Sequence, residues 1–125
     1  MIHGIGTDIV AIARMTRLWD KYGEALGLRL LADDELQTLR QHNDPARFLA
    51  KRFAAKEAAA KALGTGFRHG LSLRHIAVLN DALGKPLLRF DGRAAELAAD
   101  FGVQVSHLSI SDEADFAVAF VILTR

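Results

Sequence analysis

The 125-residue chain has no cysteine and two prolines, and its 16 basic and 15 acidic side chains almost cancel. Without cysteine it can form neither a disulfide nor a thiolate metal site. A formal net charge of +1 gives no general attraction to a polyanion. That weighs against a nucleic-acid partner and leaves any electrostatic message to local clusters. No apolar run approaches the roughly 18 to 20 residues that a membrane span needs, so no membrane partner is expected. Met1 to Val10 lacks the basic start, apolar run and cleavage site of a secretion signal. The expectation is a cytoplasmic protein.

Half of the residues are apolar and a quarter are charged, the profile of a soluble globular chain. The length suits one domain, residues 1–125, with one core. No linker, low-complexity segment or internal repeat interrupts it, and Pro45 and Pro86 both fall where a boundary is expected. Residues 2–10 read as a short strand with a bare backbone, in which Gly4 and Gly6 imply close approach by another backbone or by a ligand. From about Ala13 to Leu26, Met15, Leu18, Trp19, Tyr22 and Leu26 recur at helical spacing. Asp33 or Asp34 is placed to cap a short helix through Arg40. Asp44 is a suitable N-cap for a third helix with Pro45 at its first position, running to Leu63 and stopping at Gly64.

After Gly70 the period moves toward two. Residues 72–80 and 87–90 read as a hairpin, Asp91 to Phe101 as a helix, and residues 103–111 and 116–124 as a second hairpin. The order predicts an α+β fold with a mainly antiparallel sheet packed against the long helix.

On that helix Leu49, Phe53 and Ala60 form one stripe, and Ala54, Ala58 and Ala62 form a second of very small side chains. Glu57 and Lys61 lie between the two. Their spacing fits an ordinary i, i+4 ion pair worth about 0.2–0.5 kcal/mol, and nothing in the periodicity makes Glu57 a metal ligand. Asp8 is equally open: it caps a strand end, or it sits in an apolar segment where a carboxylate needs a cation or several N–H donors.

Three segments change this balance. GIGTDIV (Gly4 to Val10), RFAAKEAAAKALGTG (Arg52 to Gly66) and HLSISDEADFAVAFVI (His107 to Ile122) occur in the order, and in a chain of the length, of the short acyl-carrier-protein synthases. The chain therefore resembles that family of 4′-phosphopantetheinyl transferases over essentially its whole length. The resemblance implies that the chain carries the phosphopantetheine arm of coenzyme A to a serine hydroxyl of apo acyl carrier protein, releasing 3′,5′-ADP, in support of fatty acid biosynthesis. It also implies that Asp8 and Glu57 hold Mg²⁺, with Lys61 beside them to meet phosphate oxygens. Arg52, Gly64, Gly66, Lys85, Pro86, His107 and Ser109 are its coenzyme A-binding candidates. Against each stands a structural alternative: a solvated helix arginine, helix termination at Gly64, a plain hairpin turn, and a strand histidine. Lys51 stands where relatives carry a small residue and adds positive charge.

Arg14, Arg17 and Lys21 recur at i, i+3 and i+7, on one face of the first helix. Such a stripe is ordinarily solvated surface; the resemblance makes it the docking face for an acidic carrier protein. It further implies a homotrimer with active sites at its interfaces. Two other functions use the same residues: a Mg²⁺-dependent phosphotransferase or phosphohydrolase acting with water, and a binding module for coenzyme A or the carrier that has lost catalysis.

Overall fold

The longest element sets the architecture. Asp44 accepts a hydrogen bond from the Arg47 N–H at 3.2 Å, Pro45 occupies the first turn, and Gly64 closes the far end with φ 90°. Between these stops lies an alanine-rich helix buried on most of its circumference, which makes it the spindle of the molecule rather than a surface helix.

The structure, a computed structural model, describes residues Met1–Arg125. In chain order it contains β1 (Ile2–Ala11), α1 (Ile12–Tyr22), α2 (Glu24–Leu30), α3 (Asp33–Arg40) and α4 (Pro45–Leu63). After a 3₁₀ turn (Leu73–His75) follow β2 (Ile76–Asn80), β3 (Pro86–Phe90), α5 (Gly92–Asp100), β4 (Val105–Asp112) and β5 (Phe116–Thr124). The expected α+β class and antiparallel pairing are present. They form two sheets: β1-β5-β4 on one side of α4, and the separate hairpin β2-β3 on another.

In the larger sheet Asp8 pairs with Ala119, and Ala119 with Ile110. Gly4, Gly6, Asp8 and Val10 share a face with Ala117, Ala119, Val121 and Leu123, and this face packs on α4. The glycines are explained by that packing. A Cβ added to Gly6 would lie 1.8 Å from the Ala58 carbonyl oxygen, and one on Gly4 would lie 1.9 Å from that of Ala62. The small stripe of α4 and the bare stripe of β1 are thus two sides of one seam, in backbone-to-backbone contact.

Three local expectations are corrected. The first helix is two: Gly23, at φ 56°, breaks the run, and Leu26 is buried from α2 instead. α3 is capped at Ala32, whose N–H donates to the Glu35 side chain at 3.0 Å; Asp33 and Asp34 fall in its first turn, where the helix dipole favours acids. Ser72 caps the 3₁₀ turn, so β2 begins only at Ile76, and Pro86 opens β3. The Leu49, Phe53 and Ala60 stripe faces the core as expected, with Leu49 and Ala60 fully enclosed and Phe53 half-buried against it.

Gly6→Ala is expected to destabilise the fold by about 3 kcal/mol or more, the upper end of ordinary overpacking, because the neighbour is backbone and cannot move aside. Denaturant unfolding measures it.

Candidate active site

The seam puts one face of β1 directly against α4, and Asp8 is the first side chain along that face after the two glycines. Lys61 reaches it from α4: its Nζ donates to Asp8 Oδ1 at 3.2 Å and to the Thr7 carbonyl at 2.9 Å. The expected i, i+4 bridge from Lys61 to Glu57 is replaced by this longer-range one. Lys61 is half-exposed while Asp8 is mostly covered, so the pair alone adds little stability.

Glu57 lies one turn earlier on α4 and is partly buried. Burial raises its pKa above the usual carboxylate value, and the Asp8 carboxylate raises it further; Lys61 and Arg14 pull the other way. Asp8 and Glu57 therefore lie near enough at the rim of the seam for the Asp8 charge to act on Glu57, and the nearby cations leave the cost of charging Glu57 incompletely offset.

That donor set is chemically suited to a hard divalent cation. No group of three or more acidic or histidine side chains is assembled anywhere in the chain, so a cation held by Asp8 and Glu57 would complete its shell with water and substrate oxygens. This is how Mg²⁺ is commonly held.

A turn and a half N-terminal to Glu57, α4 borders a cleft of roughly 290 Å³ between the helix and the β2–β3 hairpin. His42, Arg47, Lys51 and Arg52 line it from one side, and Asn80 and Pro86 from the other. Asp8, Glu57 and Lys61 are outside its lining. Arg52 is not the solvated arginine that spacing alone allows. It is 8 % exposed, stacks 4.7 Å from the Phe48 ring, and donates to the Val78 carbonyl and, at 3.3 Å, to Asn80. Burial lowers its pKa, against the pull of Glu35 and Asp34. Arg47 bridges to Asp112 at 2.9 Å, and that hydrogen bond holds the Asp112 carboxyl below its usual value.

The remaining candidates divide. Gly64 and Gly66 both have positive φ and both donate to the Ala60 carbonyl, so helix termination accounts for the pair. Pro86 lines the cleft and Lys85 stands exposed on the hairpin turn. His107 and Ser109 share a face, as their spacing predicts, but it is the outer one. Ser109 pairs with Phe120 and Phe120 with Thr7, whereas Asp8 belongs to the alternate, α4-facing set. One copy of the chain therefore does not bring His107 and Ser109 to Asp8. Arg14, Arg17 and Lys21 are exposed along α1. Arg14 sits 5.8 Å from the Phe53 ring, next to the site.

Sequence reasoning missed His42 and Arg47; for Arg47 the available signal was its basic i, i+4 step to Lys51. It also passed over Lys56 and Glu35. Both are essentially inaccessible and are joined at 2.6 Å. For Lys56 the available signal was its place one turn beyond Arg52 on the buried side of α4.

Comparison with known proteins now bears on this geometry. Residues 4–121 match the family model for the 4′-phosphopantetheinyl transferase superfamily. Over all 125 residues, and the whole of the relative, the chain is 54 % identical to a holo-[acyl-carrier-protein] synthase of Nitrosospira multiformis. It superimposes with a TM-score of 0.94 on the crystal structure of a holo-[acyl-carrier-protein] synthase from Neisseria meningitidis, at 46 % identity and with both chains fully covered. The corresponding enzyme of Helicobacter pylori, solved in complex with coenzyme A, matches at 32 % identity and a TM-score of 0.84, covering 96 % of this chain and 99 % of that one. The chain belongs to the 4′-phosphopantetheinyl transferase superfamily.

The raised pKa of Glu57 has a sign that can be checked. A carboxyl whose folded pKa lies above its unfolded one costs stability as pH rises from the unfolded value toward the folded one. In metal-free protein, Glu57→Gln should unfold at a higher temperature than wild type at pH 7. The difference should close at and below the ordinary value of 4.5. Equal melting curves across that range would remove the strain assigned to this carboxylate.

Proposed function

We propose that this member of the superfamily transfers 4′-phosphopantetheine from coenzyme A to a serine hydroxyl of apo acyl carrier protein, in the service of fatty acid biosynthesis in the cytoplasm. The observation that carries the reading is the meeting of Asp8 and Glu57 at the Gly–Ala seam with Lys61 bonded to Asp8, in a chain of this family. Within the proposal the chain acts as one domain, residues 1–125.

In the reaction the serine hydroxyl oxygen attacks the β-phosphorus of coenzyme A and gives up its proton to water. The bond from that phosphorus to the bridging oxygen breaks, and 3′,5′-ADP leaves. Asp8 and Glu57 are the residues that would hold Mg²⁺, which when bound offsets charge on the pyrophosphate and on the departing nucleotide. Lys61 is tethered by the Thr7 carbonyl at the mouth of the same group. From there its ammonium can turn from Asp8 to phosphate oxygens and stabilise the charge that develops on the departing nucleotide. The basic cleft suits the nucleotide end. Arg52 has two of its five donors engaged with Val78 and Asn80, leaving others for a phosphate. Pro86 and Lys85 come from the opposite wall.

The outer sheet face supports a homotrimer. Ile5, Ile9, Phe116, Val118 and Phe120 are exposed there, and His107 and Ser109 stand among them. Packing this face against a neighbouring copy covers the apolar side chains and offers His107 and Ser109 to a nucleotide held by that neighbour. The Arg14, Arg17 and Lys21 face receives the acidic carrier. Arg14 is near enough to Glu57 to influence its charge, so the docking face leads to the reacting centre.

Incubation with coenzyme A, Mg²⁺ and apo acyl carrier protein should add the phosphopantetheine mass to the carrier. Hydrolysis of coenzyme A without transfer would point to a phosphohydrolase, and binding without either reaction to a module. Glu57→Gln should remain folded and lose about 10²-fold or more of Mg²⁺-dependent turnover. Arg14→Glu should raise the KM for the carrier roughly tenfold at low salt, with the difference shrinking as salt screens the face. An unchanged carrier KM would move docking elsewhere.

A further inference from the structure

The outer edge of β2 is closed by charged side chains instead of another strand. Ile76 and Val78 turn their backbone groups away from β3. The Val78 N–H donates to Glu35 Oε2 at 3.1 Å, and its carbonyl accepts from Arg52. The Ile76 carbonyl accepts from Lys56, which also donates to Leu73 O at 3.1 Å and to Glu35 Oε1 at 2.6 Å. Glu35 Oε1 also accepts from the Ala32 N–H at 3.0 Å. Every buried polar side-chain atom is satisfied. Two side chains of α4 and one of α3 thus hold the strand whose hairpin supplies Asn80, Gly84 and Pro86 to the cleft.

A buried ion pair is a poor device for stability alone, since apolar residues of similar volume commonly serve as well. What apolar residues cannot do is grip the N–H and C=O groups of a strand edge and fix its height on the helix. Arg52 and Lys56 are one turn apart on the side of α4 facing β2, and Phe53, Glu57 and Lys61 form the next row. The helix position that seats the hairpin therefore also presents Glu57.

We propose that Glu35 and Lys56 are positioning residues for the transfer reaction, clamping the β2–β3 hairpin to α4 so that the cleft keeps the width its nucleotide requires. The proposal rests on the reading of the cleft as the coenzyme A nucleotide site. Neither residue touches substrate; both act through Val78 and Ile76.

The test is the paired variant Glu35→Leu/Lys56→Met, which removes both charges together and leaves neither stranded. It should retain a cooperative unfolding transition while the Val78 amide exchanges faster with solvent. The Kd for 3′,5′-ADP by calorimetry and the KM for coenzyme A should each rise about tenfold, with kcat and the carrier KM within about twofold of wild type. A folded paired variant with unchanged Kd and KM makes the network merely structural and overturns the proposal. If the paired variant does not fold, Glu35→Gln keeps one oxygen as acceptor for the Val78 N–H but removes the charge and turns an NH2 toward the donors of Lys56 and Ala32. It should raise the Kd about threefold, and an unchanged Kd again overturns the proposal. Wild-type protein that transfers phosphopantetheine yet binds 3′,5′-ADP without protection of the Asn80 and Gly84 amides places the nucleotide elsewhere and removes the reading beneath the proposal. Wild-type binding in the cleft with equal binding by the folded paired variant removes the positioning role alone.

Discussion

The structure depends on a contact between two backbones. β1 lies against α4 with no side chain between them at Gly4 and Gly6, and the carbonyls of Ala58 and Ala62 occupy the space that a Cβ would fill. Glycine in a strand costs conformational entropy and weakens pairing; here the cost is offset by burial of the whole seam beneath Val10, Ala117, Ala119 and Val121. The consequence for chemistry is direct. Asp8 follows the glycines on the same face, so the strand that approaches the helix most closely delivers a carboxylate to the row carrying Glu57 and Lys61. An ordinary residue at either glycine would hold the strand away and separate Asp8 from Glu57 and Lys61.

Closeness creates the electrostatic character of the site. Asp8 is paired, through Lys61, while Glu57 is half-enclosed and repelled by Asp8, with Arg14 and Lys61 supplying partial relief. An arrangement built for stability would place Lys61 on Glu57, its helical neighbour, or replace the acid by an amide. The fold instead keeps a second negative charge that its own cations do not fully balance. Such a group is suited to an added cation and a phosphate, each of which supplies what the other needs. The incompletely balanced charge gathers on the same three side chains that the resemblance singles out.

The parts of this that a linear reading reveals are the ones governed by short-range rules. The α4 boundaries follow from Asp44, Pro45 and Gly64; the small stripe follows from Ala54, Ala58 and Ala62; the need for a close partner follows from Gly4 and Gly6. What stayed hidden depends on which elements meet. Gly23 splits the first helix because its φ is positive, a choice the surrounding apolar spacing does not announce. Lys61 selects Asp8 over Glu57 because β1 arrives within reach, and periodicity along α4 contains no information about β1. Lys56 and Glu35 look like surface charges in a chain of balanced charge, yet they are 0 % and 1 % exposed. Their partners are the edge groups of a strand twenty or more residues further on.

Strand parity carries the same lesson into assembly. The spacing of His107 and Ser109 shows that they share a face, but not which face, because that depends on β5 lying between β4 and β1 and on its register with both. Once Ser109, Phe120 and Thr7 are aligned, Asp8 must belong to the opposite set, and a rotamer change does not carry a side chain through a paired sheet. If His107 and Ser109 meet the nucleotide held beside Asp8, they must do so from another copy. The same parity leaves Ile5, Ile9, Val118 and Phe120 facing outward around them, so the face that would have to dock for chemistry is also the face with most apolar area to cover. Catalytic completeness and burial would then be satisfied by a single contact. Glu35, Arg52 and Lys56 show the same dependence on which elements meet: they close the free edge of β2 and fix the hairpin to its own helix.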